Sequence, residues 1–240
     1  MSTETKVNGT SIRAISPQEL LGPLTDQELK FVPTTLYVTG RLHLPLLHPR
    51  VAIVGTRRPS AEGLEATRKV ATTLAQNGVT VVSGLARGID TAAHTAAIEA
   101  DGTTIAVLGT PISRFYPAEN SDLQRKIMRD HLAVSQFPEE AVIRPVNFVL
   151  RNRTMALMGD ASVIMESGEG GGSLDQGWET LRLGRPLFIH TQEFEKPELQ
   201  WPTKMARYGA IRFREPADIL EWIPSATPSP ELAVAILDQA

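Results

Sequence analysis

The chain of 240 residues has no cysteine, which excludes a disulfide framework, thiolate chemistry and Cys-based zinc sites. It has no excess of positive charge either. Its 24 Lys and Arg stand against 27 Asp and Glu, a formal net charge of -3. That rules out a basic coat over the whole surface but leaves room for a basic cleft, because the field in a cleft depends on where charges sit rather than on their sum. No stretch approaches the roughly 18 apolar residues of a membrane span, and the opening "MSTETKVNGTSIRA" lacks the apolar core of a secretory signal. A cytoplasmic location without membrane contact is expected. The histidines His43, His48, His94, His131 and His190 show neither HExxH nor H-x-x-x-H spacing, so no metal is expected. The G-x-x-x-x-G-K-[ST] loop of ATP-driven motors is missing throughout.

What is present is a folded chain, 42% hydrophobic, with strands and helices in alternation. Residues 1–45 read as a leader in which "SPQELLGPLTDQELK" predicts one short helix and "TTLYVTG" a short strand. From Val51 come short apolar runs of the kind buried on both sheet faces: "VAIVG", "VTVVSG", "TTIAVLG", "LAVSQF", "ASVIMES" and "RPLFIH". Between them lie helical segments. Ser60 can cap "AEGLEATRKVATTLAQN", and "IDTAAHTAAIEA", "SDLQRKIMRD", "NFVLRNRTMALM" and "SLDQGWETLRL" follow in turn. This spacing predicts an α/β fold: an extended Rossmann-like, doubly wound, mainly parallel sheet with helices on both faces. The domain spans 46–224. "AIRF" and "PADILEWI" read as a last strand and helix, and 225–240 as a Pro/Ser linker and short C-terminal helix.

Ligands of such sheets bind beyond the carboxyl ends of the strands. After the strand at Val51, "GTRRPSAEG" offers Gly55 for a sharp turn, Thr56 and helix N–H groups for phosphate oxygens, and Arg57 and Arg58 as cations. An ordinary turn with two surface arginines accounts for this loop equally well. After the next strand, "SGLARGID" supplies Ser83, Gly84, Arg87 and Gly88. Asp90 and His94 share a helix face there, but with no nucleophile in sight they read as a dipole-favoured acid and a satisfied histidine. "GTPISRFYP" brings Arg114 beside Phe115 and Tyr116, residues that can stack bases or simply pack the loop. "SGEGGGSLDQGWE" places Gly171, Gly172 and Ser173 at a helix start, without completing a dinucleotide fingerprint. In "NFVLRNRTMALMGD" the cations Arg151 and Arg153 flank Asn152 near what reads as a helix N-terminus. A rim of arginines with glycine-rich backbone and no evident nucleophile, base or metal points to anion binding without catalysis and without a cofactor.

These segments together resemble the DprA (Smf) family of DNA-processing proteins within the superfamily that includes the LOG nucleotide hydrolases. "VVSGLARGIDTAAHTAAI" and "NFVLRNRTMALM" carry the resemblance most specifically, and the similarity covers about residues 51–189. It implies single-stranded DNA binding in a basic pocket, DNA processing and recombination, a homodimer, and loading of RecA or engagement of another protein partner in natural transformation. It implies phosphate contacts from Arg57, Arg151 and Arg153, with Asn152 bracing the loop. Replacing Arg151 and Arg153 with Ala is then expected to weaken binding without unfolding the protein. The chain departs from the family pattern at Pro111, Gln136, Val149, Gly159, Asp175 and Gln176. Neither the family's large helical N-terminal domain nor its winged-helix C-terminal domain is read in it. Glu179, after a glycine-rich turn, instead suggests a LOG-like nucleotide sensor or hydrolase. A third reading keeps the fold but makes the protein a partner in a toxin–antitoxin or phage-defence pair.

Overall fold

The alternation read from Val51 onward is the architecture of the computed structural model, which describes residues 3–223 except 8 and 42. The linker and helix expected at 225–240 lie outside the described residues. In chain order the elements are β1 (Thr3–Val7), β2 (Thr10–Ile15), α1 (Pro17–Leu21), α2 (Asp26–Leu29), β3 (Leu36–Gly40), β4 (Arg50–Val54), α3 (Ala61–Gln76), β5 (Thr80–Ser83) and α4 (Ile89–Glu99). Next come β6 (Thr104–Leu108), α5 (Ser121–Asp130), β7 (Leu132–Ser135), α6 (Pro145–Met158), β8 (Ala161–Ile164), α7 (Gly172–Arg182) and β9 (Leu187–His190). The last are α8 (Thr191–Phe194), α9 (Trp201–Ala206), β10 (Ile211–Phe213) and α10 (Pro216–Leu220).

One sheet of 10 strands runs in the order β1-β2-β3-β7-β6-β5-β4-β8-β9-β10. The seven strands from β7 to β10 are parallel, and β1, β2 and β3 add antiparallel pairs at one edge. Burial explains the parallel block. All five residues of β4 are buried, Val51 and Ile53 on one face and Ala52 and Val54 on the other. Each aliphatic side chain so removed from water contributes about 1.5–3 kcal/mol. The helices α3 and α4 cover the Val51/Ile53 face, and α5 extends the same layer over Ala106 and Ala133. The helix α6, through Met155, Leu157 and Met158, covers the other face beside Leu174 of α7.

The chain departs from the sequence reading in four places. The leader is part of the sheet: β1 and β2 form a hairpin with Val7 opposite Thr10, and its Asn8-Gly9 dipeptide is a strong hairpin signal. The single leader helix is two, because Gly22 closes α1 at φ +83 and Pro23 follows. The helices α8 and α9 occupy the stretch between β9 and β10, where the sequence reading placed no element. Finally, α6 begins at Pro145, with Pro at its first position, so Arg151–Arg153 lie in its middle and not at its N-terminus.

Candidate functional site

From β4 the chain winds outward through β5, β6 and β7, and α6 then returns it to β8 on the other side of β4. The carboxyl ends of β4 and β8 therefore flank the point where strand order reverses, the place such sheets bind ligands. A cleft of about 460 Å³ opens there. Its walls are Gly55–Arg58 after β4, Ser167 to Ser173 around the start of α7, and the face of α6 carrying Phe148, Arg151 and Asn152.

The two helix N-termini at this cleft differ. That of α3, expected to be open to phosphate, is closed. Ser60 Oγ accepts from Gly63 N at 3.0 Å, and the Glu166 carboxylate accepts from Ser60 N at 3.0 Å and from its hydroxyl at 2.8 Å. Thr56 N–H also donates inward, to the Glu166 carbonyl at 2.7 Å. Glu166 thus occupies the position an anion would take. The start of α7 is open: no side chain caps it, and within the described residues no hydrogen bond engages the N–H groups of Gly172 or Ser173, both at the cleft. The dipole of α7 adds partial positive charge there, which Asp175 in its first turn partly offsets.

Arg57 and Arg58 are exposed at the rim. The Arg57 guanidinium lies 6.0 Å from the Phe148 ring centroid, and that ring is 5.4 Å from Tyr116. Arg151 is different. It is 5% exposed, with Nε donating to Asn152 Oδ1 and Nη1 to the Val107 carbonyl, each at 3.0 Å. A Cβ on Gly84 would overlap this guanidinium, so only glycine leaves it room. Burial lowers the guanidinium pKa, buried Asp90 opposes that, and Arg57 adds to it. Burial in turn pushes the Asp90 carboxyl up, against the pull of Arg151 and of the Ala86 and Gly84 N–H groups. Arg151 therefore reaches the cleft as a buried positive charge that joins β5, β6 and α6. The loop after β5 is tightly held around it. Leu85 has φ +58 and is fully buried, and Gly88, at φ +75, turns against the Thr56 carbonyl.

Several expected site residues lie elsewhere. Ser83 is buried and donates to the Ile53 carbonyl at 2.6 Å, a pin between strands. Arg87 pairs with Glu119, and Arg114 is exposed on its loop; neither lines the cleft. Arg153 is two residues from Arg151, about 200° around the helix. It turns away, to Glu179 at 3.4 Å and over the Phe31 ring at 5.4 Å. Glu179 is paired with Arg153 and with Arg182 at 2.7 Å and does not line the cleft. Asn152 has its amide oxygen on Arg151 and its nitrogen on the Gly172 carbonyl at 3.0 Å, so it braces the start of α7. His94 is buried with Nδ1 2.7 Å from Thr104 Oγ1, and burial lowers its pKa to about 3. It makes no acid–base pair with Asp90.

The residue reading missed Phe148, Asp90 and Glu166 as parts of the site. Phe148 read as core flank because it precedes Val149 and Leu150. Its helical offset of three from Arg151 was the available signal. Gln176, a polar departure, is fully buried; with its amide nitrogen turned to the Asn152 carbonyl (2.6 Å) it also meets Ser162 Oγ at 3.1 Å.

The fold is of the doubly wound α/β class, with two exposed arginines and an open helix N-terminus at its switch point. The chain belongs to the DNA recombination-mediator protein A family, whose model matches residues 17–224. It is 31% identical over 192 residues to the DNA processing protein DprA of Bacillus subtilis, covering 80% of this chain and 65% of that protein. Protein Smf of Escherichia coli is 36% identical over 203 residues, with 81% and 54% covered. The chain thus spans a little over half to about two thirds of the length of these relatives. The X-ray structure of DprA from Streptococcus pneumoniae matches with TM-score 0.74 and 30% identity, over 88% of this chain and 74% of that one. DNA processing protein A from Helicobacter pylori, described for its single-stranded DNA binding mode, shares the fold with TM-score 0.72 at 23% identity, over 92% and 94%. Among the described residues no helix is long and apolar enough to cross a membrane.

Proposed function

We propose that this protein binds single-stranded DNA in the switch-point cleft and acts in DNA processing by binding, without catalysing a reaction. The observation that carries this is the juxtaposition of exposed Arg57 and Arg58 with the open N-terminus of α7 and the Phe148–Tyr116 pair. Guanidinium and backbone N–H groups suit a phosphate, and an aromatic pair with Tyr116 at 47% exposure suits a base face. The single-stranded DNA binding described for the Helicobacter pylori protein agrees with this reading. Binding should weaken with salt at a log–log slope of about -0.7 per neutralised phosphate. With Arg151 buried and Arg153 turned away, the cleft's two rim arginines predict a slope of about -1.4. A mobility-shift titration with oligothymidylate at low salt tests this. No shift, or a shift untouched by Arg57→Ala, refutes the reading.

Two finer proposals remain: that the protein forms a homodimer, which rests on the family resemblance alone, and that it delivers DNA to RecA or to another recombination partner, which the family description as a recombination mediator supports. Light scattering of the purified protein and RecA assembly on coated single strands check these separately. A monodisperse monomer or unchanged RecA assembly counts against the respective proposal.

A further inference from the structure

A second groove, of about 470 Å³, lies on the antiparallel edge of the sheet between β2, the end of β3 and α5. Four arginines line it, Arg13, Arg41, Arg125 and Arg129, and no carboxylate does. Their side chains reach solvent: Arg13, Arg125 and Arg129 are 41%, 58% and 69% exposed, and Arg41 is exposed as well. The nearby acids are outside the groove. Arg13 meets Glu19 at 3.8 Å, Arg125 meets Asp122 at 3.1 Å, and Arg129 meets its neighbour Asp130 at 2.7 Å. Exposed pairs of this kind contribute at most about 1 kcal/mol, so they yield readily to a better acceptor. Arg13 Nε is sunk from solvent with no hydrogen-bond partner.

Ring and guanidinium contacts lead from the cleft towards the groove. From Arg57 the path crosses Phe148 at 6.0 Å and Tyr116 at 5.4 Å. Phe115, next in the chain, carries the Arg125 guanidinium 4.5 Å from its ring centroid. Arg129 follows one helical turn along α5, about 6 Å further. Three aromatic rings thus lie between Arg57 of the cleft and Arg125 of the groove, and surfaces that track a single strand combine cations with aromatic rings.

We propose that this groove is a second backbone-phosphate site, which takes up the continuation of a single strand held in the switch-point cleft. The proposal rests on the reading of the cleft given above. The four guanidinium groups clamp phosphates, and the Phe115–Tyr116 turn carries the strand over the rim.

Two oligothymidylates separate the sites: one of about 5 nucleotides, filling the cleft alone, and one of about 20, long enough to run on into the groove. The variants are Arg125→Gln/Arg129→Gln, Arg41→Gln as a second probe of the groove, and Arg57→Ala in the cleft. The groove variants should bind the short oligomer as the wild type does, which also shows that they are folded. For the long oligomer the double variant should lose affinity and flatten the salt slope by about 1.4, and Arg41→Gln by about 0.7. If groove variants match the wild type on the long oligomer while Arg57→Ala weakens both, the groove is overturned and the cleft stands. If the groove variants weaken long-oligomer binding and Arg57→Ala changes neither, the groove stands and the cleft reading falls. If the wild type binds neither oligomer, both are overturned.

Discussion

Replacing Arg151 with Ala should destabilise the protein strongly, unlike replacing Arg57. The Arg151 guanidinium is 5% exposed and holds the Val107 carbonyl and Asn152 Oδ1 at 3.0 Å each. Its removal takes a donor from two buried acceptors and takes away the positive charge that acts on buried Asp90. Leaving buried acceptors unsatisfied costs about 1–3 kcal/mol each, together about 2–6 kcal/mol. For a protein of this length that lowers Tm by roughly 4–24 °C. Arg57 is exposed and should cost within about 0.5 kcal/mol, while its loss flattens the salt slope for single-stranded DNA by about 0.7. Thermal melts followed by circular dichroism, with DNA titrations in parallel, read both effects. The outcome replaces the expectation that Arg151 can be removed without harm to the fold. Combining Arg151→Ala with Asp90→Asn should recover about 0.5–3 kcal/mol, because the uncompensated carboxylate is removed too. If Arg151→Ala melts as the wild type does and loses only DNA affinity, Arg151 is a phosphate ligand and its assignment to the core is wrong.

Asp175→Asn removes the carboxylate from the first turn of α7 at the cleft; DNA affinity at low salt should rise about two- to fivefold, equivalent to about 0.3–1 kcal/mol, and an unchanged Kd would show that the strand does not approach this helix start. Gly84→Ala should lower Tm on the scale of Arg151→Ala, since the added methyl overlaps the guanidinium; a wild-type melt would mean that Arg151 can move aside. Acid should destabilise the protein through His94. Its pKa is depressed to about 3 in the fold, so the unfolded chain takes up the proton first, and stability present above about pH 6.5 is lost as pH falls towards 3. The loss is roughly 2 kcal/mol between pH 7 and pH 5, with His131 and His190, also lowered by burial, adding in the same direction. Urea midpoints at the two pH values check this, and His94→Gln should reduce the difference; equal midpoints in the wild type refute it.

The parallel block was legible in the sequence because burial on both faces leaves a plain mark: short apolar runs such as Val51–Val54, each ending at a turn. The edge hairpin was harder to see. The strands β1 and β2 are short, β1 mostly exposed and β2 half-buried, so charge and polarity masked their period, and only Asn8-Gly9 signalled the turn. At the site, sequence spacing located the loops but not the direction of their side chains. The loops after β4 and β8 meet because strand order reverses between them, and a list of loops does not contain that order. Of the arginines gathered by loop position, Arg57 and Arg58 reach the cleft surface, whereas helical phase sends Arg151 inward and Arg153 to the far side.

Arg151 shows why charge in a motif is an ambiguous sign. An arginine in "RNR" between apolar runs is compatible with a phosphate ligand and with a structural cation, and what distinguishes them is the partner set, here Asp90, Gly84, Val107 and Asn152 drawn from four separate segments. The two roles are nonetheless linked. Buried positive charge at the floor of the cleft is screened far less than charge at the rim, so Arg151 would raise the potential felt by a phosphate bound beside Arg57. The same guanidinium, through Asn152, fixes the Gly172 carbonyl and hence the direction in which the free N–H groups of α7 point. Asn152→Ala should therefore weaken DNA binding while changing Tm less than Arg151→Ala does, because it loosens the donor array and leaves the buried charge balance in place.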